Sequence, residues 1–384
     1  MTVMNRIPLI WRIVLAIALG VLVGWALPLS GMRVLKTFNV LFAQLLKFIV
    51  PLLILGLVTP AISSAGKGAG KMLALVMGLS YVSTCCAALF GFGCATRLLP
   101  FYVPEGAVAA AVEGAKILPF VELKIPPVCD VLTALTLSFM IGIGCIVTGA
   151  ERVRLAFEEF GGIVTLTIQR VIIPGIPFYI LTMIAEMTAS GRIGAMAGTM
   201  VKVIGTGWAL TIVFLVVLYC VAGLVARKNP FKALWNMSPA YLTALSVASS
   251  SAVIPVTLDC CRKNCISDET TNFTIPLCAN VHMVGSAIKM MVSLWAVAIV
   301  YSLDITFAQI LQFCLLFAIA AVAAPGVMSG VLMASLGFVE SIIGFSPDQI
   351  AVMMTFYMAL DGYGPAANVT GDGAIAMVVD ALRK

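Results

Sequence analysis

The sequence predicts an all-α protein that crosses a membrane many times. Of its 384 residues, 61% are hydrophobic and 10% are charged, whereas a soluble domain has roughly 25% charged residues. The mean hydropathy is +1.11, and long apolar stretches alternate with short polar segments. This composition excludes a soluble globular protein, a disordered chain and a fibrous repeat, because there is too little polar surface to keep the chain in solution. Lipid must therefore solvate most of it.

Eight apolar stretches are each long enough to form a membrane-spanning helix, because about 20 helical residues cross roughly 30 Å of hydrocarbon. They are residues 7–28, 35–61, 72–99, 131–149, 162–189, 193–226, 272–301 and 349–382. The first stretch is longer than the apolar core of a cleaved signal peptide, and no small-residue cleavage site follows it. We expect it to be retained as the first span.

Two more apolar stretches, residues 229–259 and 305–345, are too long for one crossing and are interrupted at their centres. A serine triplet at 249–251 and then Pro255 interrupt the first, and an Ala-Pro-Gly-containing segment at 324–330 interrupts the second. We interpret both as re-entrant hairpins, whose unwound tips are tolerated at membrane depth only where they line a protein-buried or watery cavity. The alternative is a pair of kinked spans, because Pro and Gly are common in membrane helices.

Charge placement supports the two hairpins. If both stretches re-enter and the N-terminus is inside, most lysines and arginines fall in cytoplasmic segments and the outer segments are rich in acids. This is the positive-inside bias. The sequence thus predicts a multi-pass protein of the cell inner (plasma) membrane with cytoplasmic N- and C-termini. The net charge of +6 is explained by this orientation, so we expect no nucleic-acid partner.

Motifs of the common catalytic and metal-binding classes are missing from the sequence. It contains no GxxxxGK[ST], HExxH or GxSxG motif, so we expect a membrane transporter and not an enzyme. Cys260, Cys261 and Cys265 form no paired CxxC, and we interpret them as the cytoplasmic end of a hairpin instead of a metal site. A membrane-embedded enzyme and a sensory protein are the less favoured classes.

The last span carries ionisable residues at membrane depth, which are expensive and therefore functional candidates. Asp361, Asn368 and Asp372 are spaced seven and four residues apart, which places them on one face of a continuous helix. Two carboxylates and an amide in apolar surroundings suit an ammonium group or a bare cation. The alternative is a buried polar seam that holds helices together.

The seventh span contains a predicted break. Asn280 and Gly285 disfavour a helix in mid-membrane, and unwound backbone there offers carbonyl oxygens to a cation. His282, the single histidine of the chain, is a candidate proton carrier, although a lone histidine is more often a core residue. Lys289 lies two turns further along the same helix face, as a counter-ion or as a side chain that snorkels to the interface.

These elements together resemble the glutamate-transporter family, the dicarboxylate/amino acid:cation symporters. The resemblance rests on the serine-rich first tip followed by Pro255, on Met283-Gly285-Ser286 in the broken span, on the second tip, and on the Asn368-to-Asp372 motif. It extends over nearly the whole chain. It implies an elevator-type fold of eight transmembrane helices and two re-entrant hairpins, in a homotrimer. It also implies an amino-acid substrate, sodium and/or protons as coupling ions, and no other cofactor.

The resemblance also divides the chain into a scaffold and a mobile transport domain. The scaffold would comprise residues 1–66 (spans one and two) and 101–190 (an external loop with spans four and five). The transport domain would comprise residues 67–100 (span three), 191–228 (span six), 229–268 (first hairpin), 269–303 (broken span seven), 304–346 (second hairpin) and 347–384 (span eight).

Site residues follow from the resemblance position by position. Asp361 would bind the substrate's α-ammonium, and substrate would lie between the first tip and the gating second tip. The α-carboxylate would bind to Asn368 and to the serines of the first tip, Ser249, Ser250 and Ser251. Gly326 would be the substrate-site residue of the second tip. The sodium sites would use Asp372, Asn368, Tyr81, Thr84 and backbone carbonyls near Asn280.

Several positions depart from the family pattern. Val284 replaces an aspartate and His282 an asparagine in the broken span, so we expect fewer coupled sodium ions and a proton on His282. Gly364 stands where acidic-substrate members have an arginine, and Pro365 where a threonine follows. Ala248, just before the serines, stands where other members have an arginine.

The missing arginines bear on the substrate. An acidic side chain buried without a cationic partner costs several kcal/mol, so we predict a neutral or non-acidic amino acid. The alternatives are an acidic amino-acid or dicarboxylate symporter with an unrecognised carboxylate ligand, and an uncoupled uniporter or anion-conducting channel.

Overall fold

The computed structural model describes residues 9–65, 70–103, 105, 117–121, 123, 125–189, 191, 193–323, 330–359 and 362–383. Within these ranges every regular element is a helix, as the composition predicts. The helices of the N-terminal half are α1 (Leu9–Ala26), α2 (Leu29–Ala65), α3 (Gly70–Leu98), α4 (Val131–Thr148), α5 (Glu151–Thr167), α6 (Ile173–Ala189) and α7 (Ile193–Ala226). The π-helical segment Ile168–Ile172 joins α5 and α6.

The C-terminal half consists of shorter helices. They are α8 (Pro230–Asn236), α9 (Ser238–Val247), α10 (Ile254–Lys263), α11 (Asp268–Val281), α12 (Val284–Val300), α13 (Phe307–Ala323), α14 (Gly330–Phe338), α15 (Pro347–Ala359) and α16 (Tyr363–Arg383). Side chains mark several boundaries. Asn229 and Ser267 accept backbone N–H bonds at the starts of α8 and α11, and a left-handed Gly149 ends α4.

Five stretches of the described helices are long and apolar enough to cross a membrane. They are Leu29–Pro60, Lys71–Phe101, Glu151–Ala189, Gly198–Ala226 and Asp268–Val300, and four shorter apolar helices accompany them. The chain is therefore a multi-pass membrane protein. The count of eight spans and two re-entrant hairpins stays a prediction.

The first interrupted stretch reverses direction at the serine triplet. Helix α9 ends at Val247, Ala248 has a left-handed conformation (φ 54°), and a short 3-10 turn, Ser251–Val253, leads into α10. Helices α9 and α10 then pack against each other. Helices α13 and α14 of the second interrupted stretch also pack together, and residues 324–329, which include Gly326, lie outside the described residues.

The last predicted span consists of two helices, α15 and α16, instead of one. Helix α16 begins at Tyr363, and Asp361 lies between the two helices, outside the described residues. The prediction that three polar side chains share one continuous helix face is therefore limited to Asn368 and Asp372, which lie one turn apart on α16.

Helix α16 lies at the centre of a group of helices that carries the candidate site. It packs against α3, α7, α9, α10, α11 and α12, whereas α2 packs against α4, α5 and α6, and α1 packs against α6. Helices α2 and α5 pack closely at two glycines, because a Cβ atom on Gly161 would overlap the carbonyl oxygen of Gly56. The division of the chain into a scaffold and a transport domain, and their relative motion, stay predictions.

Candidate substrate and cation site

The break between α11 and α12 lies where the sequence predicts it. Helix α11 ends at Val281 and α12 begins at Val284, and between them His282 (φ −106°, ψ 102°) and Met283 (φ −122°, ψ 45°) are not helical. Both residues are buried. The first amide groups of α12 therefore need hydrogen-bond partners from elsewhere in the chain.

Asn368 of α16 supplies those partners. Its Oδ1 accepts hydrogen bonds from the backbone N–H groups of Gly285, at 2.8 Å, and Ser286, at 3.4 Å. Its Nδ2 donates to the sulfur of Met283 and to the hydroxyl of Ser286, each at 3.2 Å. In this conformation the Asn368 amide stabilises the helix break, and its predicted role as an α-carboxylate ligand stays a prediction.

His282 joins three elements through a buried hydrogen-bond chain. Its Nδ1 lies 3.0 Å from Oδ1 of Asp372 on α16, and its Nε2 lies 3.0 Å from the hydroxyl of Ser83 on α3. His282 and Asp372 are fully buried. Because an ionised carboxylate only accepts hydrogen bonds, a neutral ring has its hydrogen on Nδ1, and Ser83 donates to Nε2.

The second carboxylate oxygen of Asp372 is a candidate cation ligand. Oδ2 is buried and has no hydrogen-bond partner among the described residues. A buried carboxylate oxygen without a partner is costly, and hard cations such as sodium bind oxygen ligands of this kind. The donor set at this position therefore fits a cation at Oδ2, beside the helix break.

The other residues predicted for cation binding are placed unequally. The hydroxyl of Thr84 accepts a hydrogen bond from Met283 N–H at 3.3 Å, so Thr84 lies at the break. The hydroxyl of Tyr81 donates to the carbonyl of Leu315 on α13 at 3.4 Å. Asn280 is exposed, and its amide donates within its own helix to the carbonyl of Pro276.

The predicted substrate ligands are only partly described. Ser250 is buried at the first tip, and the hydroxyl of Ser249 accepts a hydrogen bond from the backbone of Ala252 at 3.4 Å. Ser251 is half-buried. Asp361 and Gly326 lie outside the described residues, so the geometry of the ammonium site and of the second tip stays a prediction.

Val284 and His282 fill the space beside α16 where the resemblance places ligand oxygens. A Cβ atom built on Gly371 would lie 2.9 Å from Cε1 of His282 and 3.1 Å from Cγ2 of Val284. Only glycine at residue 371 admits both side chains at this distance. Neither Gly371 nor Ser83 was predicted as a site residue, because nothing in the local sequence of either indicates contact with a histidine far away along the chain.

The structure also places Lys289, which the sequence analysis left open. Lys289 is 2% exposed, and its ammonium lies 3.8 Å from the centre of the Tyr357 ring on α15. Burial of this kind excludes a side chain that snorkels to the membrane interface. Pro365 is half-buried in the first turn of α16, next to Gly364, whose surface Lys289 contacts.

Comparisons with known proteins identify a family and several related transporters. A family model described as the sodium:dicarboxylate symporter family matches residues 9–382. The Serine/threonine transporter SstT of Streptococcus thermophilus (strain CNRZ 1066) is 28% identical over 342 residues, which cover 86% of this chain and 84% of that protein. SstT of Streptococcus suis (strain 05ZYH33) is 27% identical over 350 residues, covering 86% and 94%. Human Excitatory amino acid transporter 3 is 31% identical over 225 residues, covering 57% of this chain and 42% of that protein.

Proposed function

Because the chain belongs to the sodium:dicarboxylate symporter family, we propose that it is a secondary-active symporter that moves a small amino acid or related carboxylate together with a coupling cation. The membership confirms the resemblance found in the sequence, and family and relatives are membrane transporters and not enzymes.

One observation carries the coupling proposal. The fully buried Asp372 carboxylate has one oxygen bonded to His282, while the other has no partner among the described residues, beside a broken helix. Ionisable groups at membrane depth mark ion or substrate pathways, and broken helices form the ion sites of transporters. We therefore place a coupling cation at Asp372.

The proposed identity and number of coupling ions rest on the family description and on the positions where this chain departs from the family pattern. The family description supports sodium. Val284 offers no oxygen and packs against Gly371, so we propose fewer sodium sites than the resemblance implies, with the one at Asp372 retained. A proton on His282 stays a prediction from the sequence.

We further propose an elevator mechanism in a homotrimer of the cell membrane, with both termini in the cytoplasm. The support is the packing of α1, α2, α4, α5 and α6 as one group and of the helices around α16 as another. Movement of the second group past the first would carry the site across the membrane.

Two substrate classes are in competition. The prediction of a neutral or non-acidic amino acid rests on Gly364 and Ala248, and relatives named serine/threonine transporters agree with it. The second candidate, an acidic amino acid or dicarboxylate, is favoured by the ammonium of Lys289 beside Gly364.

The coupling proposal is tested by reconstituting the full chain in liposomes and recording substrate-induced currents on solid-supported membranes. The panel would contain serine, alanine, aspartate and succinate, with and without sodium, at two pH values. Asp372→Asn should abolish the cation dependence. Asp304→Asn, the same change on the exposed turn between α12 and α13, should leave it intact. Equal currents in both variants would contradict a coupling site at Asp372.

A further inference from the structure

The ammonium of Lys289 lies against Gly364 of α16, in the space that a side chain at residue 364 would occupy. A Cβ atom built on Gly364 would lie 3.1 Å from Nζ and 3.0 Å from Cε of Lys289. The Tyr357 ring contacts the ammonium at 3.8 Å from its centroid, a cation–π contact that positions it. The buried cation therefore occupies the surface from which a side chain at residue 364 would project.

A second contact fixes this place relative to the rest of the site. One turn before Lys289 on α12, Ser286 accepts a hydrogen bond from Asn368, which lies one turn after Gly364 on α16. The pairs Lys289–Gly364 and Ser286–Asn368 are thus successive contacts between the same two helices. At 1.5 Å per residue they lie about 6 Å apart along the helix axis.

The first tip lies on the other side of the same stretch of chain. A Cβ atom on Gly362, two residues before Gly364, would lie 3.3 Å from the carbonyl oxygen of Leu245. Leu245 lies on α9, in the last turn before the serine triplet. Residues 362–364 therefore lie between the helix that leads to the serines and the helix that carries Lys289.

We propose that Lys289 is a substrate ligand and that its ammonium binds a second carboxylate on the substrate. The proposal rests on the symporter function and names its substrate class, acidic amino acids and short dicarboxylates. Charge-assisted hydrogen bonds between an ammonium and a carboxylate are among the stronger hydrogen bonds in proteins, and the water-excluded surroundings of Lys289 strengthen the attraction.

Gly364 and Lys289 depend on each other in this arrangement. Any side chain at residue 364 would meet Cδ, Cε and Nζ of Lys289 at 3.0 to 3.2 Å and displace the ammonium. The lack of a side chain at residue 364 of α16 and the buried lysine on α12 are therefore complementary. The cation reaches the same surface from a different helix.

The test measures substrate selectivity in the full chain. Wild type, Lys289→Met, Lys289→Arg and the double variant Lys289→Ala/Gly364→Arg would be reconstituted in liposomes, and uptake of aspartate and succinate would be compared with uptake of serine. A second readout is the increase in melting temperature that each compound gives the detergent-solubilised protein. Lys36→Met, which removes a lysine from α2, is the control for loss of a membrane-embedded cation.

We expect wild type to prefer aspartate or succinate to serine. Lys289→Met should weaken the apparent affinity for these anions by about 10- to 100-fold relative to serine. Lys289→Arg should retain the preference, and the double variant should restore it because the cation returns on α16. Lys36→Met should leave the ratio unchanged.

Two results would overturn the role of Lys289. The first is that wild type takes up serine alone and only serine stabilises it. The second is that Lys289→Met lowers uptake of all substrates equally and the double variant does not recover it. If a variant does not fold, the preference of wild type for aspartate or succinate over serine still tests the proposal. If no compound accumulates but aspartate or succinate still stabilises wild type and not Lys289→Met, the symporter function fails and the Lys289 site stands.

Discussion

Asn368 on α16 and Gly285 on α12 are joined by a hydrogen bond of 2.8 Å from the glycine N–H to the amide oxygen. Through this bond the last helix stabilises the first turn of α12, directly after the break. The same amide group also bonds to the hydroxyl of Ser286. The helix break is therefore a consequence of contact with α16 as well as of the local sequence.

Replacing Asn368 should destabilise the protein more than replacing its partner Ser286. Asn368→Ala leaves two buried N–H groups of α12 without their acceptor, and each unsatisfied group costs about 1–3 kcal/mol. Ser286→Ala removes one hydrogen bond and leaves both N–H groups bonded. Thermal unfolding of the two purified variants in the same detergent measures the difference. Equal melting temperatures would contradict the role of Asn368 at the break.

Substitution of Gly371 should disturb the His282 chain. In Gly371→Ala the new methyl group meets Cε1 of His282 at 2.9 Å and Cγ2 of Val284 at 3.1 Å, while both ring nitrogens are held by hydrogen bonds. Overpacking of this kind costs about 1–3 kcal/mol, so we expect a lower melting temperature and reduced cation-driven uptake.

Gly205→Ala is the matched control for that change. Gly205 lies in α7, and a Cβ atom there meets nothing within 4 Å. Because alanine is the better helix former, this variant should be as stable as wild type or slightly more stable. If the two variants behave alike, the close packing against Gly371 is not a constraint.

His282→Gln should remove any dependence of transport on pH between about 5.5 and 8, because His282 is the predicted proton carrier. Asp372 of α16 is the charged group that faces the ring, and Ser83 is the hydroxyl on α3. Cys278, one turn earlier on α11, contacts Ser80 instead.

Initial uptake rates of wild type, His282→Gln and Ser83→Ala over this pH range measure the effect. Ser83→Ala breaks the hydrogen-bond chain but keeps the titratable ring, so its rates should still vary with pH. A flat wild-type profile, or one that His282→Gln leaves unchanged, would contradict a coupled proton on His282.

Lys36 of α2 forms one ion pair with α6 and one with α15, and the second pair must break if α15 moves past α2. Its ammonium lies 2.9 Å from Glu186 of α6 and 3.3 Å from Asp348 at the start of α15. The Asp348 side chain is 59% exposed, and an exposed pair contributes about 0–1 kcal/mol.

Asp348→Asn should therefore raise turnover by up to about 5-fold with little change in stability. The matched variant Glu186→Gln removes a pair inside the first group and should not raise turnover. Rates of substrate exchange in liposomes compare the two. An increase in both variants, or in neither, would argue against movement of α15 past α2.

Features encoded by local sequence were predicted well. Helix-disfavouring residues at 280 and 285 bracket the break at His282 and Met283, and α9 ends directly before the serine triplet. Local sequence was also misleading in one place, since the apolar run 349–382 contains two helices. The residues of the site that depend on packing between distant helices were not predictable in the same way.

The position of Lys289 illustrates that limit. The sequence shows a lysine two turns beyond a histidine, and this spacing says nothing about which helix faces it. Only the packing of α12 on α16 brings its ammonium to Gly364. The prediction of a neutral substrate rested on the absence of an arginine at Gly364 and at Ala248, and it did not consider the lysine on α12.

The most direct test of cation-coupled symport is the steady-state accumulation ratio in liposomes. Radiolabelled serine and aspartate would be measured inside and outside, with an inward sodium gradient, with an inward proton gradient, and with neither. The account predicts that at least one compound accumulates above its external concentration with a cation gradient, and that Asp372→Asn abolishes this accumulation. Equilibration to the external concentration under every gradient would instead show an uncoupled uniporter or channel.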